Sequence, residues 1–261
     1  MKPLEIAKDI YSVGVKDWNV RNFHGYLTQK GSTYNAYLII DEKITLIDTV
    51  KAPFCEEFLE RISQVVDLSK IEYVVSNHVE MDHSGSMPEV MKRLPNATVL
   101  TNAAAEKEHK LHYDTTNWKI QTVKTGDSVS IGKRTLTFLT TPMVHWPDNM
   151  LTYCPEDKIL FSNDAFGQHL ASSENFDDEL SLDLILAEAK KYYANIVMPY
   201  SSQVVTALKA ASALDIKMIA PAHGLIWRTN LPAILECYTK WSNQEKEKKA
   251  VIVFDSMWHS T

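Results

Sequence analysis

Apolar residues along this chain fall in short runs separated by turn residues, and the spacing within the runs changes character several times. In the first half, "IYSVGV", "YNAYLII" and "ITLIDTV" read as strands, and "PFCEEFLERISQVV" then carries its apolar positions at helical spacing. The same order recurs in the next stretch. "IEYVVSNH" predicts a buried strand, "SMPEVMKRL" a short helix, "ATVLTN" a strand and "AAAEKEHKLHY" a helix. From Trp118 to Asp164 the pattern returns to strands ("KIQTVKTG", "SVSIG", "TLTFLTT", "MLTYCP", "ILFSND"). It continues with helices from Ser181 to Asp215, a strand at "KMIAPAH" and a last helix from Leu231 to about Gln244. Strands and helices in two similar halves predict an α/β sandwich, with helices packed outside two central sheets. The chain stops after "AVIVFDSMWHST", where Val251 to Phe254 read as a buried strand and Asp255 to Thr261 as a polar loop.

Composition narrows the partners. At 261 residues with a formal charge of −6 and no basic block longer than "KEKK", there is no electrostatic case for nucleic acid or anionic lipid. Cys55, Cys154 and Cys237 are odd in number and far apart, which suggests neither a disulfide framework nor a cysteine zinc site. "MKPLEIAKDIYSVG" lacks an apolar leader core and no window approaches 18 uninterrupted apolar residues, so the expectation is a cytoplasmic protein without a membrane segment.

The chemistry is concentrated in "SNHVEMDHSG", where His78, Glu80, Asp82 and His83 fall within six residues behind a strand. Alternating side chains at a strand end let His78 and Glu80 share one ion while Asp82 and His83 reach a second. His145 in "TTPMVHWPD", Asp164 in "ILFSNDAFG" and His223 in "MIAPAHG" each follow another apolar run. Gathering so many ionisable groups without a metal would cost several kcal/mol per unpaired charge. His109 and His112 in "EHKLHY" read as residues of a surface helix, and His169 in "GQHL" has no assigned place.

This set resembles the metallo-β-lactamase fold, an αββα sandwich whose metal ligands gather on loops at one edge. Zinc hydrolases of that superfamily usually carry H-x-H-x-D-H, whereas this chain has H-x-E-x-D-H, with Glu80 at the second histidine. The carboxylate hardens the site toward iron. With "FHGYLTQKGSTYNAYLI", "YANIVMPY" and "APAHGLIW", the chain resembles flavodiiron proteins, also called A-type flavoproteins, over essentially its whole length. The resemblance implies one iron on His78, Glu80 and His145, a second on Asp82, His83 and His223, and Asp164 bridging them. It also implies that His24 in "NFHGY" and Tyr193 in "KKYYANI" lie near the substrate pocket as donors of protons or hydrogen bonds; Trp146, beside a ligand, reads either as a wall of that pocket or as core.

"VIVFDSMWHST" resembles the first strand and phosphate loop of a flavodoxin-like domain, with Ser256, Met257, Trp258, His259, Ser260 and Thr261 as part of an FMN loop. The expected organisation is a diiron domain over 1–249 and the beginning of an FMN domain over 250–261, in a fragment that does not itself hold FMN. The implied activity is reduction of dioxygen to water, of nitric oxide to nitrous oxide, or both. Electrons would come through FMN from a rubredoxin, a flavin reductase or reduced deazaflavin, in a head-to-tail homodimer. Two alternatives stay open at this point: a dinuclear zinc hydrolase of the same superfamily, and a non-catalytic metal-stabilised docking domain.

Overall fold

A computed structural model describes residues 2–258. Two sheets form the centre. The first has seven strands in the spatial order Leu4–Ala7, Ile10–Ser12, Tyr37–Ile39, Ile44–Ile47, Ile71–Val75, Thr98–Thr101, Lys119–Thr122, antiparallel through the first four and parallel from Ile44–Ile47 onward. The second has five: Ser128–Ser130, Thr135–Thr140, Met150–Cys154 and Ile159–Asn163 run antiparallel, and Met218–Pro221 lies parallel to Ile159–Asn163.

The period-two alternation of the strands sorts their side chains into three layers. Ile39, Ile47, Val75 and Leu100 of the first sheet meet Leu136, Phe138, Met150 and Phe161 of the second between the sheets. Their chain neighbours Leu38, Leu46, Val74 and Val99 face the other way, onto Phe58, Leu59 and Ile62 of helix Cys55–Ser63 and Met87 and Val90 of helix Met87–Arg93. Leu151, Tyr153 and Leu160 face outward from the second sheet onto helices Leu182–Tyr192, Ser201–Ala211 and Leu231–Ser242. Each fully buried Leu, Ile or Phe contributes about 1.5–3 kcal/mol of transfer free energy. A one-residue register slip would turn either sheet's apolar set to the wrong layer. The architecture is the expected αββα sandwich.

Two readings of the sequence change, those of Val251–Phe254 and of His109. Among the described residues Val251–Phe254 is not a buried strand: Val251, Ile252 and Val253 are 81%, 86% and 91% exposed and carry no sheet pairing. Of the residues read as an FMN loop, Ser256, Met257 and Trp258 are in irregular backbone, while His259, Ser260 and Thr261 lie outside the described residues. The Ser181–Asp215 stretch is broken after Tyr192 by a π-helical turn, Tyr193–Val197, and a 3-10 turn, Met198–Tyr200, containing Pro199. Proline has no N–H and its ring clashes with the preceding turn, so a regular helix cannot run through it. His109 is not on a surface: with Ala105, four residues earlier, it forms the inward face of helix Ala103–His112 and is fully buried, its Nε2 2.9 Å from Ser76 Oγ.

Candidate metal centre

The parallel strands place their C-terminal ends along one edge of the sandwich, where loops rather than ladder hydrogen bonds dictate side-chain direction. Ile44–Ile47 leads to Asp48, Ile71–Val75 to His78, Ile159–Asn163 to Asp164, and Met218–Pro221 to His223. Beneath them a buried polar network joins the two sheets. Asp48 accepts from the backbone N–H of Asn77 (2.7 Å) and from its Nδ2 (3.0 Å), and Thr152 Oγ1 donates to Asn77 Oδ1 (2.7 Å). Asn77 is thereby held from both sides, and the direction of His78 follows.

His78 donates Nδ1–H to Asp148, whose oxygens lie at 3.0 and 2.9 Å, and Asp148 Oδ2 also accepts the Val79 N–H at 2.7 Å. This leaves His78 Nε2 as a lone pair facing inward, 3.4 Å from Glu80 Oε2 and 3.5 Å from Asp164 Oδ2. Asp82 and His83 sit on a one-turn helix, Met81–Ser84, a break in the strand-end extension that rotates them away from His78 and Glu80. His83 Nε2 lies 3.1 Å from Asp164 Oδ1 and 3.4 Å from Asp82 Oδ2. His145 Nε2 lies 3.2 Å from Glu80 Oε2 and 3.3 Å from Asp164 Oδ2. His223 donates Nδ1–H to the Thr33 carbonyl at 2.6 Å, and its Nε2 lies 3.1 Å from Asp82 Oδ2 and 3.3 Å from Asp164 Oδ1. Gly224, at φ +80°, makes that turn possible, since a Cβ there would meet Gln168 Oε1 at 1.9 Å.

Asp164 divides its two oxygens between two groups: Oδ2 faces His78 and His145, and Oδ1 faces His83 and His223. The donors of His78, Glu80, His145 and Asp164 lie within 4.8 Å of one another, as do those of Asp82, His83 and His223. Donors about 2.0–2.2 Å from a shared ion at ordinary coordination angles stand about 3–3.5 Å apart, which is the spacing observed. The inward atoms His78 Nε2, Glu80 Oε2, His83 Nε2, His145 Nε2, His223 Nε2 and both carboxylate oxygens of Asp82 and Asp164 are buried and have no hydrogen-bond partner. Buried polar atoms are seldom left so, and here all of them converge on two points that a pair of cations would satisfy.

Without cations, protons take their place. Burial lowers the proton affinity of His145 and His223, but Asp164, with Glu80 and Asp82 respectively, outweighs it and lifts them to about 9 and about 10. His78 is likewise held well above its ordinary value, burial being outweighed by the charge and hydrogen bond of Asp148. Burial opposes ionisation of Asp164 as well, but the surrounding imidazoles hold its carboxyl well below the usual range. An arriving metal would displace these protons.

Around the centre, His24 occupies the first loop position of a two-residue hairpin between Asn22–Phe23 and Tyr26–Leu27, with φ +52° at His24 and +78° at Gly25. Positive φ at both loop residues suits the right-handed twist of the flanking strands. The turn brings His24 Nε2 to 3.4 Å from Glu80 Oε1 and 3.9 Å from Asp82 Oδ2. The mouth is lined by His24, Glu80, His145, Asn195, Ile196, Pro199 and Tyr200, four of them from the broken helix. Trp146 stands edge-on to His78, ring centres 5.2 Å apart.

Tyr193 corrects the sequence reading. It packs against Tyr238 and Trp241, with its hydroxyl 3.1 Å from Ser201 Oγ, on the side of the helix turned into the outer core. Its neighbour Tyr192, about 100° around the helix, faces His169 and His223 at 5.1 and 5.9 Å between ring centres. The sequence reading also missed Asp148 and His169. Asp148 lies three residues beyond His145, and the only available signal was that a ligating imidazole needs a partner for its other nitrogen. His169 is fully buried between His24 and Ser32.

Residues 33–224 match the family described as ODP family beta lactamase. Among curated relatives, the nitric oxide reductase of Moorella thermoacetica is 48% identical over 100% of this chain and 66% of its own length. Among solved structures, the flavodiiron protein from Giardia intestinalis superposes with a TM-score of 0.92 at 43% identity, covering 94% of this chain and 60% of that one. The rubredoxin oxygen:oxidoreductase from Desulfovibrio gigas gives 0.95 at 40%, covering 100% and 66%. The chain thus spans slightly less than two thirds of the length of these proteins. It belongs to the ODP family beta lactamases, as a metallo-β-lactamase-like domain of the flavodiiron proteins.

Proposed function

We propose that this chain is the metal-bearing part of a diiron oxidoreductase that reduces dioxygen to water, nitric oxide to nitrous oxide, or both. One ion is assigned to His78, Glu80 and His145, the other to Asp82, His83 and His223, with Asp164 shared. The observation that carries this reading is the convergence of unpartnered buried imidazole nitrogens and carboxylate oxygens on two adjacent points, with one Asp164 oxygen turned to each. The donor set, four imidazoles with three carboxylates, suits iron in either oxidation state. The names of similar proteins, a nitric oxide reductase and a rubredoxin-oxygen oxidoreductase, support the same chemistry.

Two adjacent irons, when bound, supply electrons to a small diatomic held beside them. The protein's own part is positional. Asp148 and the Thr33 carbonyl fix the tautomers of His78 and His223, so both present a lone pair inward. His24 holds a nitrogen at the mouth, and Phe23 stacks on its ring with centres 4.0 Å apart. Residues 1–249 are the unit assigned to this work. Electrons are proposed to arrive through FMN carried outside that unit, from a donor such as rubredoxin, in a cytoplasmic protein whose subunits pair. Among the described residues no helix is long and apolar enough to cross a membrane.

The test is metal content after anaerobic production with iron and zinc both present, followed by gas consumption by the reduced protein. Two irons per chain with consumption of dioxygen or nitric oxide is expected. Two zincs retained against ferrous ion, with hydrolytic turnover, would overturn the assignment.

A further inference from the structure

His169 belongs to no ligand group, yet it is fully buried beside the centre and makes two side-chain hydrogen bonds. Its Nε2 lies 3.1 Å from His24 Nδ1 and its Nδ1 lies 2.7 Å from Ser32 Oγ. The proton positions along this chain follow from its two ends. At the outer end, His24 Nε2 faces carboxylate oxygens of Glu80 and Asp82 at 3.4 and 3.9 Å. Unlike His78 and His223, His24 is in neither assigned ligand group, and Glu80 and Asp82 already serve the two ions. A lone pair on its Nε2 would face anionic oxygens with no cation of its own between them; Nε2 therefore carries the hydrogen and Nδ1 accepts. His169 must then donate from Nε2, which leaves its Nδ1 to accept from the Ser32 hydroxyl. The inner end agrees. The other acceptor open to Ser32 Oγ is the Thr33 carbonyl at 3.3 Å, and that oxygen already receives the His223 Nδ1–H at 2.6 Å.

A doubly protonated His169 would reverse the logic, but it lies among imidazoles: its ring centre is 4.8 Å from that of His223 and 5.1 Å from that of His24. It is also fully buried, where an unpaired charge is costly. It acts as a neutral relay of polarity.

We propose that His169, anchored by Ser32, is a positioning residue that locks His24 in the tautomer with Nε2–H aimed into the mouth of the metal centre. Nε2 has no hydrogen-bond partner of its own. The lock therefore gives the centre one fixed donor for an acceptor atom of a small ligand held beside Glu80 and Asp82. Fixing the tautomer in advance removes a rotation or proton shift that would otherwise accompany binding. The proposal deepens the reading of the site as a small-molecule redox centre and rests on that reading for its functional consequence, though not for the tautomer itself.

The first test needs no turnover. In [15N]histidine-labelled protein loaded with zinc as a diamagnetic ion, long-range 1H–15N correlations report which nitrogen of His24 is protonated. Nε2–H is expected in the wild type. His169→Leu should give a tautomer mixture, and Ser32→Ala a smaller departure. His169→Gln should preserve the tautomer, because its amide can donate to His24 Nδ1 while its carbonyl accepts from Ser32. Nδ1–H on His24 in the wild type, or an unchanged tautomer in His169→Leu, overturns the proposal. If His169→Leu does not fold, Ser32→Ala and His169→Gln still decide it. In iron-loaded protein, His169→Leu should lower kcat about tenfold or more while KM moves less than about twofold, with His169→Gln restoring most of kcat. Equal losses in the two variants would show that the ring only fills space. Correct tautomers in a protein that consumes neither gas would overturn the redox reading alone.

Discussion

The two halves of the metal centre are supported differently. On the His78 side the imidazole leans on a buried carboxylate, Asp148, which is itself tied to the Val79 N–H. On the His223 side it leans on a neutral backbone carbonyl, Thr33, and the turn that aims it depends on a glycine. A carboxylate makes the imidazole it holds a stronger donor than a carbonyl does, and it can be removed by changing a side chain. The carbonyl cannot be mutated away, but the backbone that delivers it can be strained. Equivalent ligands can therefore have unequal weaknesses, one chemical and one conformational.

The largest expected effect comes from the residue common to both halves. Asp164→Ala should abolish retention of both ions, measured as metal per chain after gel filtration, because it deletes the oxygen turned to each. Retention of one full equivalent would mean that Asp164 serves one side alone. Asp148→Asn should break the His78 side selectively. In the amide an NH2 donor replaces one of the two oxygens that bracket His78 Nδ1 at 3.0 and 2.9 Å, so the Nδ1–H tautomer loses its preference and the one with no lone pair on Nε2 gains. Affinity for one ion should fall about 10–100-fold while the other stays, and Asp148→Ala, which leaves the tautomer free, should be the milder change. Competitive chelator titration distinguishes these outcomes, and equal loss from both sides would erase the contrast.

Gly224→Ala tests the conformational weakness. An added Cβ would collide with Gln168 at a backbone angle that side chains rarely adopt, so a stability loss of about 1–3 kcal/mol is expected in urea melts. The His223-side ion should become easier to strip. The smallest effect concerns His109, behind the His78 side. Burial pushes its pKa down to about 4. The unfolded chain, at about 6.5, binds the proton more readily. Stability is therefore complete above about pH 6.5 and declines as pH falls toward 4, and His109→Gln should flatten that part of the curve. An unchanged acid limb in thermal melts would mean that other groups cause it.

These contrasts bear on how much was legible in the sequence. The sandwich was, because Leu38/Ile39, Leu46/Ile47 and Val74/Val75 already carry a two-sided buried pattern that only helices on one face and a second sheet on the other could satisfy. The seven candidate ligands were visible because each stands where an apolar run ends, and the structure brings all seven to one edge. Tyr193 was chosen where Tyr192 faces the centre, since adjacent aromatics in a helix differ only in direction and a turn that widens at Tyr193–Val197 shifts the phase. Val251–Phe254 was read as buried on its apolarity, but an apolar run becomes a strand only when a neighbouring edge accepts it.

What the sequence determined by itself is whatever depends on order along the chain: element types, alternation of faces, and the density of ionisable residues after strands. What the tertiary structure alone decided is which atom of each residue faces which partner. Asp148 meets His78 across 70 positions and His169 meets Ser32 across 137, and neither pairing leaves a local mark. Hydrogen-bond direction is a property of two groups at contact distance, so the tautomers of His78, His223 and His24 come into existence only when the strand ends meet.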